Sequence, residues 1–215
     1  MTVPGWLQPL LQRTSSLLPE DLSRFLPPED GGRRGAVLVL FGEDPESGPD
    51  ILLIERAHDM RSHAGQPAFP GGAADDDDSG PVATALREAV EETGLDAAGV
   101  EVLAELPELW LPPSGFVVTP VLAWWRDPSP VSVRDPAEVA SVHRVPLSEL
   151  LDPANRLRVR HPIGYIGPAF TVSGLLVWGF TAMLLDGLFA VAGWEVPWDL
   201  DRVEDLPPGT IRAAP

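Results

Sequence analysis

The chain contains no cysteine and no lysine, and only one tyrosine. Without cysteine there is no disulfide, no thiolate metal site and no thiol nucleophile. Without lysine all 15 basic residues are arginine. That excludes a Walker-type phosphate loop, whose lysine reaches the terminal phosphates, and leaves phosphate contacts to Arg, backbone N–H groups or a metal ion. Basic charge is scarce overall: 32 acidic residues give a formal net charge of −17. A general attraction to nucleic acid or to an anionic membrane is therefore not expected. A long hydrophobic run is also missing. The stretch from Leu175 to Val191 is interrupted by Thr181, Asp186 and Gly187, which reads as a core helix and not a membrane span. The opening MTVPGWLQPLLQRTSS has no basic region followed by a continuous apolar one, so no signal peptide is read and the expected location is cytoplasmic.

What is present suits one globular core: 215 residues, of which 44% are hydrophobic. Residues 1–34 read as an N-terminal helical extension, with apolar patterns at Trp6 to Leu11 and Leu22 to Leu26. Residues 35–195 read as the main domain, and 196–215 as a loosely ordered tail. AVLVLF at 36–41 and ILLIER at 51–56 predict a β-hairpin across the turn-rich GEDPESGPD. Strand-like runs follow at 100–109 and 116–125, then a short helix, a strand and a helical turn in PAEVASVHRVPLSELL, and a terminal helix at about 174–191. Strands ahead of one central helix, with another helix at the end, predict a mixed α/β sandwich. Trp124, Trp125 and Trp178 are expected to fill core or subunit contacts, and the aromatic content suits a homodimer.

The central helix carries REAVEETGL, residues 87–95. Ser79, Gly80 and Pro81 mark its start and Gly94 its stop, with Val82, Ala83, Leu86, Ala89 and Val90 as one apolar face. Glu88 lies at helical neighbour spacing from both Glu91 and Glu92 and is repelled by each, and those two sit in the last turn, where the helix dipole disfavours anions by about 0.3–1 kcal/mol each. A solvated acidic face partly relieved by an Arg87–Glu91 pair is one explanation. A hard divalent cation is the other, because Mg²⁺ takes oxygen ligands and removes the repulsion on binding. DDDD at 75–78 does not make an EF-hand loop, since Leu86 stands where the twelfth-position glutamate is required; it reads as an exposed turn ahead of a helix N-terminus, with a part in metal binding left open.

Arg87, Glu88, Ala89, Glu91, Glu92, Gly94 and Leu95 resemble the second half of the Nudix box. Its first half is shifted: Ala73 and Ser79 fall where a glycine and an acid belong, whereas Gly72 and Asp78 lie one residue earlier, and a single inserted residue reconciles them. Upstream, LLIERAHDMRSHAGQPAFPGG (52–72) resembles the additional motif of the coenzyme A diphosphatase branch through Leu52, Leu53, Arg56, Arg61, Gly65, Phe69, Pro70, Gly71 and Gly72, with Ala57 replacing a serine. PPSGFVVTPVL and VWGFTA resemble later segments of that branch.

The resemblance implies an α/β/α sandwich with a mixed sheet and hydrolysis of a substituted diphosphate with Mg²⁺ or Mn²⁺. The implied substrate is coenzyme A or a derivative, cut to 3′,5′-adenosine diphosphate and a 4′-phosphopantetheine. Glu88, Glu91, Glu92 and the Gly72 carbonyl are the implied metal ligands; Glu88 and Glu138 are the two candidates for general base. Arg87 is expected to orient a glutamate. Arg56 and Arg61 are candidates to grip phosphate, together with Gly71 and Gly72 at the substrate; ordinary ion pairing with Glu55 or Asp59 is the alternative for the two arginines. His63 is read as a structural hydrogen-bonder ahead of a substrate contact. Two other readings stay open: hydrolysis of ADP-ribose or another nucleoside diphosphate derivative, and a catalytically idle nucleotide-binding module, against which the retained glutamates argue.

Overall fold

Two short helices begin the fold, α1 (Gln8–Thr14) and α2 (Pro19–Leu22), each with proline in its first turn, where a missing N–H costs nothing. Leu7, Leu10 and Leu22 are buried, so the N-terminal extension packs onto the main core. The computed structural model describes residues 3–28, 31–58, 64–112, 114–162, 164–207 and 210.

The run AVLVLF has no polar face, and such a strand is stable only where both faces are covered. It forms the middle of β1 (Arg33–Asp44). Val39 and Phe41 enter one core, while Ala36, Leu38 and Leu40 enter another. The chain returns antiparallel as β2 (Gly48–Arg56), with Phe41 opposite Ile51. Two short strands follow, β3 (Pro67–Ala68) on β2 and β4 (Gly71–Ala73) on β1, with Ala36 opposite Gly72. Then come α3 (Pro81–Thr93), β5 (Val100–Glu105), β6 (Leu109–Leu111) and β7 (Phe116–Trp125). β7 lies parallel to β1, with Leu38 opposite Val121. β8 (Val139–Pro146) pairs antiparallel with β2 and completes an eight-stranded mixed sheet.

Beyond it lie α4 (Leu147–Leu151), β9 (Arg156–Arg160), β10 (Ile166–Val172), β11 (Leu175–Val177), α5 (Gly179–Ala192) and β12 (Val203–Asp205). The last four strands in the sequence make a second sheet in the order β11-β10-β9-β12. One face of the main sheet is covered by α3, through Ala85 and Ala89 on Leu38, Leu52, Val121 and Trp125. The other is covered by α5, the N-terminal helices and the second sheet, around Phe41, Trp124, Phe170 and Phe189. This is a mixed α/β fold with helices on both faces of a mixed sheet. Trp124 and Trp125 are 8% and 1% exposed, and Trp6 from the extension packs edge-on to Trp124.

Several local expectations are corrected. The short helix expected from Pro136 is a turn, in which the Glu138 and Val139 N–H groups both reach the Asp135 carbonyl. The terminal helix starts at Gly179 and not near 174, because Leu175–Val177 pairs with β10. Val90 is 39% exposed, while Thr84, Ala85 and Glu92 are buried, so the inner face of α3 is rotated from the apolar stripe read in the sequence. The tail, expected to be loose, supplies β12, which runs parallel to β9. Among the described residues, no helix is long and apolar enough to cross a membrane.

Candidate active site

The helix α3 starts at Pro81 and ends at Gly94, whose left-handed conformation (φ +70°) stops it. Its three glutamates meet three different surroundings. Glu92 points into the protein, is 2% exposed, and accepts a hydrogen bond from the Gly71 N–H at 3.0 Å. Burial pushes its carboxyl up to about 8; the Gly71 N–H and the Arg56 charge oppose this, and the negative charges of Glu88 and Glu138 add to it. Glu88 is half-buried and also raised, first by burial, with Arg87 acting the other way. Glu91 is exposed.

Gly72 lies against Glu88 so closely that a Cβ there would stand 2.5 Å from the Glu88 Oε1. Only glycine lets the strand β4 and this carboxylate approach so far. Gly71 and Gly72, both on β4, therefore touch the two inner carboxylates, one by hydrogen bond and one by packing.

Arg87 gathers the region around it. It donates to Asp78 through Nε (3.1 Å) and Nη2 (3.0 Å), to Glu88 through Nη1 (3.0 Å), to Glu91 through Nη1 (3.1 Å) and to the Ala73 carbonyl (3.0 Å). The guanidinium, followed by the Asp75 N–H, holds the Asp78 carboxyl well below the usual carboxylate range. Asp78 also accepts from the Thr84 hydroxyl at 2.8 Å. The shifted motif is thereby resolved: Gly72 packs on Glu88 and the Asp78 carboxylate pairs with Arg87, while Ala73 meets Arg87 only through its backbone carbonyl.

Arg56 ends β2 just after a register shift between Glu55 and Arg56, an irregularity that re-aims a side chain. Its charge bears on Glu92, and its Nε is buried without a hydrogen-bond partner among the described residues. Glu138 is exposed, but its charge bears on both Glu88 and Glu92, and its carbonyl accepts the Ala57 N–H at 2.8 Å beside Arg56. Arg61 and His63 lie outside the described residues.

The geometry thus brings Arg56, Gly71, Gly72, Glu88, Glu92 and Glu138 into one region, with Arg87 behind the carboxylates and Glu91 on its outer side. Sequence reasoning missed Ser132 and Arg134, whose N–H groups bond to the Thr93 and Glu92 carbonyls at the end of α3. No local pattern marks them, because the contact exists only after the β7–β8 loop folds back.

Over residues 32–163 the chain matches the family model described as NUDIX domain. It is 37% identical over 187 residues to the uncharacterized Nudix hydrolase NudL of Photorhabdus laumondii, spanning 80% of this chain and 95% of that one. Identity to the protein of the same name in Citrobacter koseri is also 37% over 187 residues, spanning 81% and 94%. The fold is shared with the crystal structure of a Nudix hydrolase from M. Smegmatis, RenU, at 19% identity and a TM-score of 0.51, covering 81% of this chain and 98% of that one. The chain belongs to the Nudix family and is a hydrolase of phosphoric anhydride bonds.

Nudix hydrolases generally use divalent metal ions such as Mg²⁺ or Mn²⁺. The ligands implied by the resemblance, Glu88, Glu91, Glu92 and the Gly72 carbonyl, offer only oxygen donors, the type that such an ion takes. Among the described residues, no three His, Asp or Glu side chains already stand together at metal-holding distance. In this arrangement Arg87 draws Glu88 and Glu91, while the Gly71 N–H draws Glu92.

Proposed function

We propose that the chain hydrolyses the diphosphate of coenzyme A or its derivatives, giving 3′,5′-adenosine diphosphate and 4′-phosphopantetheine or its acyl form, with Mg²⁺ or Mn²⁺ as cofactor. The observation that carries this reading is the placement of the segment that resembles the coenzyme A branch. Its Gly71–Gly72 pair lies directly against Glu92 and Glu88, and the charge of its Arg56 bears on Glu92. A motif of unrelated purpose would have no reason to converge on the carboxylates of the box.

In this reading Glu88, Glu91, Glu92 and the Gly72 carbonyl hold the metal, which supplies charge neutralisation on the diphosphate oxygens. Glu88 or Glu138 takes the proton of the attacking water, and both are close enough to Glu92 to bear on its charge. Arg87 fixes Glu88 and Glu91 and does not touch substrate. Arg56 and Arg61 grip phosphate in a chain that otherwise repels anions. Attack by water on one phosphorus breaks its bond to the bridging oxygen, and the two phosphate-bearing halves leave separately.

The test is incubation with Mg²⁺ or Mn²⁺ and a panel of coenzyme A, acyl-coenzyme A, ADP-ribose, NADH and nucleoside triphosphates, with products identified by mass. The expected result is preferential cleavage of a coenzyme A species to 3′,5′-adenosine diphosphate. Preference for ADP-ribose removes the substrate assignment and keeps the reaction class. No turnover of any panel member favours an idle nucleotide-binding module.

A further inference from the structure

The last turn of α3 holds Glu91 and Glu92 and no basic residue, so nothing on the helix itself answers its negative pole. The missing cation comes from the loop between β7 and β8. Ser132 donates its N–H to the Thr93 carbonyl at 2.9 Å and Arg134 donates its own to the Glu92 carbonyl at 3.1 Å, satisfying two acceptors that a helix end leaves free. The Arg134 guanidinium lies against Gly94, where a Cβ would come within 2.9 Å of its Cζ. Gly94 therefore serves twice, as a left-handed stop and as the seat for this side chain.

From Arg134 the chain is tied at each step. The Asp135 carboxylate accepts the Ala137 N–H at 2.9 Å. The Asp135 carbonyl accepts the N–H groups of Glu138 at 3.1 Å and Val139 at 2.9 Å, and the Glu138 carbonyl accepts the Ala57 N–H at 2.8 Å. Glu138 is thus suspended between the end of the carboxylate helix and the end of the strand that carries Arg56.

We propose that Arg134 is a positioning residue for the reaction: seated on the C-terminal end of α3, it clamps the β7–β8 loop so that Glu138 stands beside Glu88 and Glu92. This rests on the functional reading above, with Glu138, of its two candidates, as the group that takes the proton of the attacking water. It assigns to Arg134 no contact with substrate.

With coenzyme A and Mg²⁺, Arg134→Ala is expected to lower kcat about tenfold with KM changed less than about twofold, while Arg134→Lys, which keeps a cation at the helix end, retains most of the rate. In a Glu138→Gln background the same Arg134→Ala change is expected to cost less than about twofold, because the group it positions has already been disabled. Independently of substrate, amide hydrogen exchange at Glu138 and Val139 should speed up by about tenfold or more in Arg134→Ala. An unchanged kcat, an equal loss in both backgrounds, a lysine variant no better than alanine, or unchanged exchange overturns the proposal. A wild-type protein that turns over no member of the panel overturns the functional reading instead, and the exchange result then decides alone whether Arg134 anchors the loop.

Discussion

Arg87 and Asp78 are joined at two atoms, Nε to Oδ1 at 3.1 Å and Nη2 to Oδ2 at 3.0 Å, between the turn before α3 and the middle of that helix. The pair leaves Nη1 free to hold Glu88 and Glu91, so Asp78 acts on the carboxylates through the arginine. Asp78→Asn keeps the shape and removes the charge. It is expected to lower kcat/KM by about tenfold to a hundredfold, the usual cost of losing a partner behind a metal ligand, the role proposed for Glu88 and Glu91, with a change in the metal concentration needed for half-maximal rate. Steady-state kinetics at varied Mg²⁺ check this. Ser79→Ala, one residue away, should leave both quantities unchanged.

How legible this site was depended on the range of the contacts. The helix from Pro81 to Gly94 could be read directly, because proline at the start and a left-handed glycine at the end are local signals. The first strands were equally plain, since AVLVLF admits no exposed face. Glu92 was visible as part of a pattern but not as a buried group. Its direction depends on how far α3 is rotated over the sheet, which Thr84 and Ala85 decide by packing inward while Val90 turns out. The second sheet was not legible, because Arg156–Arg160 and Ile166–Val172 mix charge, glycine and proline, and are held as strands by pairing with one another and with the distant Val203–Asp205.

Glu92 gives the metal-free protein a pH-dependent stability. Its carboxyl is raised from 4.5 to about 8 by burial, so between those values the folded state holds a proton that the unfolded state has released. Stability is then fully present below about pH 4.5 and is lost as pH rises through about 8, with a slope approaching about 1.4 kcal/mol per pH unit. Chemical denaturation at pH 5.5, 6.5, 7.5 and 8.5 should show Glu92→Gln, which stays neutral throughout, falling less with pH than the wild type. Parallel profiles for the two proteins contradict the assignment.

Gly72→Ala should damage activity with little change of fold. A methyl group there would stand 2.5 Å from the Glu88 carboxylate, so Glu88 must move. The expected outcome is a fall of at least about tenfold in kcat and weaker use of Mg²⁺, with the circular dichroism spectrum retained. Full activity in this variant would show that the position of Glu88 is unimportant.

Arg56 and Arg61 are expected to act on binding. Arg56→Ala and Arg61→Ala should each raise KM for coenzyme A severalfold or more while kcat falls much less, the signature of a contact made equally in ground and transition states. A dominant loss of kcat for Arg61 would move it from grip to chemistry. In either variant, higher ionic strength should reduce the difference from wild type, since screening weakens long-range attraction of the anionic substrate.

The most direct measurement is a titration of Mn²⁺, followed by its paramagnetic resonance, into wild-type protein and Glu92→Gln under otherwise identical conditions. A carboxylate buried at the end of an already acidic helix turn is accounted for if the ion occupies that place. Wild type should take up Mn²⁺, and the variant should bind it at least about tenfold more weakly. Equal uptake by the two proteins, or none by either in the presence of a substrate analogue, would contradict the account.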